Sequence, residues 1–70
     1  MTVYDDVKSY VERLLALQRA RNAKTVTIYY RDVAKALGDK YSHPAVSMAL
    51  KRVCKELGGE YMRGICIIVL

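Results

Sequence analysis

Near the N-terminus Val3, Val7, Tyr10, Val11, Leu14 and Leu17 or Gln18 recur at three- and four-residue steps. That period predicts an amphipathic helix from Val3 to Asn22. Thr2 is placed to cap it, with Asp5 three residues on and Asp6 beside it, while Arg19 and Arg21 sit in the last turn, where cations are favoured. Tyr4 and Leu15 widen the apolar stripe. Thr25-Val26-Thr27-Ile28 is β-branched throughout and reads as a short strand. A second helix is expected from Tyr30 to Leu37. Val33, Ala34 and Leu37 face inward, Arg31, Asp32 and Lys35 outward, and Gly38 stops it. After a turn over Gly38-Asp39-Lys40-Tyr41, Ser42 caps a third helix that reaches Leu57, with Pro44 in the first turn, where a missing N–H costs nothing. Val46, Leu50, Val53 and Leu57 fall within about 60° on a helical wheel and form its buried face. Ser47, Met48, Lys51, Arg52 and Lys55 lie on the other side. Gly58-Gly59 ends the helix.

Two strand-like runs complete the chain, Glu60–Met62 and Ile65–Val69, with Arg63-Gly64 between them as a two-residue hairpin turn. The last run is apolar on both faces. This places it at the centre of a small sheet, between its hairpin partner and Thr25–Ile28. The expected architecture is a single α+β domain over residues 1–70, with three helices and a three-stranded antiparallel sheet.

Seventy residues are too few for a large core, so a dimer, a disulfide or a metal would help to hold the fold. The longest apolar run, Ile65–Leu70, is far short of the roughly 20 residues that span a bilayer. Asp5, Asp6 and Lys8 interrupt any N-terminal signal sequence. The expectation is a soluble cytoplasmic protein with no membrane partner.

Charge adds a partner class. The net charge is +5, and it is uneven: nine cations face two carboxylates from Arg19 to Lys55, a local net charge of +7, while the rest of the chain carries −2. Positive charge concentrated in the middle of a small domain points to a polyanion, or else to a solvated face. Cys54 and Cys66 are the only cysteines and His43 the only histidine. That set cannot build a four-ligand zinc site, so no metal and no cofactor are expected. The cysteines are either two small buried apolar groups or a disulfide tying the third helix to the last strand. Gln18 and Asn22 are the only side-chain amides, a scarcity found in hyperthermophile proteins, where intracellular disulfides occur. There is no phosphate loop and no paired acid–base set, and His43 has no neighbouring carboxylate to orient it, so an enzyme is not expected.

The order helix, strand, helix, turn, helix, hairpin, and the stretch VTIYYRDVAKALGDKYSHPAVSMALKRVCKELGG in particular, resembles the winged helix-turn-helix DNA-binding superfamily of small archaeal and bacterial regulators. The likeness covers about Thr25 to Leu70, with Ala34 as the small residue facing the next helix. It implies sequence-specific binding of double-stranded DNA, a role in transcription and a place on the nucleoid. The third helix would enter the major groove, which is wide enough for one helix. Its N-terminal part, Ser42, His43, Pro44, Ala45, Ser47 and Met48, would meet the bases. Lys51, Arg52 and Lys55 are better placed for phosphates, with guanine a further target for Arg52. Family resemblance also puts phosphate contacts at Tyr30, Arg31, Lys35, Lys40 and Tyr41. The wing is short and offers only Arg63, a departure from longer, more basic wings.

Two alternatives use the same fold: a protein-interaction module without DNA binding, and a sequence-neutral architectural DNA-binding protein. The apolar first helix and the C-terminal strand are the two candidate surfaces for a homodimer.

Overall fold

The N-terminal apolar steps do form a helix. In the computed structural model, which describes residues 1–70, α1 spans Val3–Ala20. Its start is fixed reciprocally: the Asp5 N–H donates to Thr2 Oγ1 at 3.2 Å, and the Thr2 N–H donates to Asp5 Oδ2 at 3.2 Å. The helix stops short of Asn22, which takes a φ of 60° and turns the chain toward the sheet. The buried line is Val7, Val11 and Leu15. Leu15, expected at the margin of the stripe, is therefore in the core, while Leu17 is 48% exposed. Steps of four residues keep the first three on one line, and Leu17 falls well off it.

β1 (Thr25–Tyr29) leads directly into α2 (Tyr30–Ala36), which buries Val33 and Ala34. Gly38 takes a φ of 76° just beyond it, the left-handed exit expected of a helix end. α3 spans His43–Glu56, with Ser42 Oγ accepting from the Ala45 N–H at 3.3 Å. It buries Val46, Ala49, Leu50, Val53 and Cys54. β2 (Glu60–Met62) and β3 (Ile65–Val69) close through Arg63 and Gly64, whose φ values are 51° and 83°. Two successive positive values match the twist of the strands they join.

The sheet order is β1-β3-β2, antiparallel throughout, so β3 is central as its apolar sequence predicts. Thr27 lies opposite Ile67, and Glu60 flanks Ile67 on the other side. The inner face, with Val26, Ile28, Cys66 and Ile68, packs into one core with α1, α2 and α3. The outer face carries no helix. Of the two readings open for the cysteines, the structure has the disulfide: Cys54 in α3 is bonded to Cys66 in β3, and both residues are fully buried. No helix is long and apolar enough to cross a membrane.

Candidate nucleic-acid interface

α3 is amphipathic in a way that leaves one ridge free. Its inner line fixes the helix against α1 and the sheet. On the opposite side Pro44, Met48, Lys51 and Lys55 follow one another at three- and four-residue steps and are all exposed. Lys51 and Lys55 make no ion pair. Met48 is 74% exposed, an apolar tip between Pro44 and Lys51.

The first turn of α3 borders a shallow cleft lined by Tyr30, His43, Pro44, Ser47, Arg63 and Gly64. Three elements meet there: the start of α2, the start of α3 and the hairpin tip. The Tyr30 ring meets His43 edge-on, with centroids 5.6 Å apart. The Tyr30 N–H donates to the Gly64 carbonyl at 2.9 Å, which pins the hairpin tip to α2. Arg63 thereby stands exposed beside the cleft, without an ion-pair partner. Arg31 leans back on Tyr30, its Nε donating to the phenol oxygen at 3.2 Å, and this contact raises its pKa further. Lys35 is exposed and unpaired on α2.

Other residues expected at the interface have partners within the fold. The Ser47 and Tyr61 hydroxyls hydrogen-bond to each other, so Ser47 fastens β2 to α3. Arg52 stands apart from the lysine ridge. Its guanidinium lies 4.1 Å from the centroid of the Tyr4 ring, and its Nε lies 3.8 Å from Glu56. Tyr4 donates to the same Glu56 carboxylate, and that bond to a carboxylate is the main reason its pKa is raised. Lys40 and Tyr41 converge on Asp6 in the first turn of α1, Lys40 at 3.2 Å and Tyr41 through its hydroxyl. The Tyr41 hydrogen bond, then Lys40, holds Asp6 below the ordinary aspartate pKa; Asp6 in turn raises both of theirs.

The structure therefore brings Tyr30, His43, Pro44, Ser47 and Arg63 together, continues the surface through Met48, Lys51 and Lys55, and turns Arg52, Lys40 and Tyr41 toward α1. Sequence reasoning missed Asp6 and Glu56 as the groups that hold these last three. The Asp6–Tyr41 and Tyr4–Glu56 contacts join positions 35 and 52 residues apart, which no local pattern marks, whereas Arg52 and Glu56 are an i, i+4 pair on α3 that the sequence does show. It also missed Tyr61, the partner of Ser47. Nowhere in the fold do three or more His, Cys, Asp or Glu side chains gather as a metal site would need. Comparison with known protein families, characterised proteins and solved structures finds no match.

Proposed function

We propose that the protein is a winged-helix protein that binds double-stranded DNA with sequence preference and acts in transcriptional regulation. α3 is the helix that enters the major groove, and the β2–β3 hairpin is the short wing. The observation that carries this reading is the free ridge of α3. A helix held by its buried face presents Met48, Lys51 and Lys55 without internal partners, with His43, Pro44 and Arg63 at its N-terminal end. A groove-binding helix needs this division between a packed face and a free polar face. Met48 is suited to thymine methyl groups, and the two lysines to phosphates.

The test is binding to a pool of genomic duplex fragments, with Lys51→Glu/Lys55→Glu alongside the wild type. Wild type should retain a subset of the fragments, and the variant should lose them. Arg52→Ala serves as the contrast: Arg52 is engaged by Tyr4 and Glu56, so its removal should weaken DNA binding less than either lysine reversal. Equal retention of random and genomic duplexes would replace sequence preference with architectural binding. No binding at low salt would remove the DNA reading altogether.

A further inference from the structure

We infer that the protein is a homodimer whose two copies pack through the outer face of the sheet. This does not depend on the DNA reading. The ladder fixes which side chains share that face: Thr25, Thr27 and Tyr29 from β1, Ile65, Ile67 and Val69 from β3, and Glu60 and Met62 from β2. An antiparallel sheet that faces water on one side normally alternates apolar-in with polar-out. Here the central strand is apolar on both faces. Val69 is 76% exposed, Met62 72%, Tyr29 48% and Ile67 47%. A groove along β2 borders this surface; Met62, Ile65 and Ile67 line its sheet side, and Lys55 and Arg63 line its other side.

Charge and area identify the occupant. Glu60 is the only charged side chain among the eight, so the face does not suit a nucleic acid. The four most exposed apolar side chains present on the order of 400 Å², a size at which patches on soluble monomers are often functional. Two such faces remove about 800 Å² of apolar surface, and the other four side chains of each face carry the total past the roughly 1,000 Å² that a specific interface needs. The face also matches itself. A two-fold axis along β3 sets Ile67 on its own copy and lays β1 over β2 of the other, with Tyr29 on Met62 and Thr27 on Glu60. Edge-to-edge pairing through β1 would leave this surface in water.

Sedimentation equilibrium over roughly 5 to 200 μM protein, a range set to bracket micromolar association, tests the inference. Wild type should sediment at twice its 8.0 kDa chain mass. Ile67→Glu should weaken the dimer by at least about a hundredfold, because it buries a second carboxylate beside Glu60, with no cation on the face to pair it. Ile67→Thr, which keeps β propensity and adds no charge, should weaken it about tenfold with an unchanged far-UV spectrum. Leu17→Lys, on the exposed side of α1, should leave it intact. A monomeric wild type at the highest concentration would overturn the inference. So would a dimer insensitive to both Ile67 changes, or one lost in Leu17→Lys.

Discussion

Gly64 has two reasons to be glycine. Its φ is 83°, and a Cβ added there would lie 2.3 Å from Cδ1 of Tyr30, inside the ring's contact surface. Gly38 has a similar φ of 76° with nothing within 4 Å. The pair separates backbone strain from collision. Gly38→Ala should cost about 1 kcal/mol, the ordinary penalty for a side chain in the left-handed region. Gly64→Ala adds displacement of a packed ring and should cost about 2–4 kcal/mol. At about 4–8 °C per kcal/mol for a domain of this size, thermal melts resolve the two. Because Tyr30 borders the cleft at the start of α3, Gly64→Ala should also weaken DNA binding where Gly38→Ala does not. Asp6 makes a second residue-scale prediction. Its folded pKa lies below its ordinary value of 3.8 because Tyr41 and then Lys40 favour the carboxylate. A depressed folded pKa stabilises above the unfolded value and loses that contribution as pH falls through the folded one. The stability gap between wild type and Asp6→Asn should therefore be constant from about pH 5 toward neutrality and close below it. A gap that did not narrow at all as the pH fell through the acid range would mean that the Asp6 contacts matter through shape and not charge.

At the scale of elements, the disulfide joins α3 to the sheet across a separation of 12 residues. Closing a loop of that length removes about 3 kcal/mol of unfolded-state freedom. The double variant Cys54→Ala/Cys66→Ala should melt about 12–24 °C lower than wild type, and a reductant should have little effect below the melting range, because both residues are fully buried. Rapid reduction of the native protein would show that α3 parts from β3 far more readily than its packing implies. The elements themselves were legible in the chain for local reasons. Ser42 and Thr2 cap, Gly38, Gly58 and Arg63-Gly64 turn, and the β-branched run of β1 extends. Even the central place of β3 follows from its doubly apolar pattern. Less legible was which apolar side meets the core. Leu15 and Leu17 are equally apolar in sequence, and only the packing of α1 on α3 divides them. The site was legible in outline for the same reason. Helical period alone puts Met48, Lys51 and Lys55 on one ridge, but it also admits Arg52. Its withdrawal depends on Glu56, an i, i+4 partner that helical spacing does offer, and on Tyr4, a contact between distant parts of the chain that periodicity does not encode.

The whole molecule presents two surfaces of opposite character. The α3 ridge and the hairpin tip carry free cations, while the outer sheet face carries almost no charge. Salt distinguishes them. If Lys51, Lys55 and Arg63 of one copy each neutralise a phosphate, the slope of log affinity against log salt is about −2.7, and affinity falls about fortyfold between roughly 50 and 200 mM. Dimerisation through apolar contact releases no counterions and is strengthened, if anything, by salts excluded from the protein surface. Its dissociation constant should stay within about threefold over the same range. Lys51→Glu/Lys55→Glu should flatten the DNA slope by about two and leave the dimer unchanged, whereas Ile67→Glu should split the dimer and leave the slope per copy unchanged. If both equilibria moved together with salt, or if either variant shifted both, one surface would be serving both partners, and the separation of α3 from the outer sheet face would have no functional meaning.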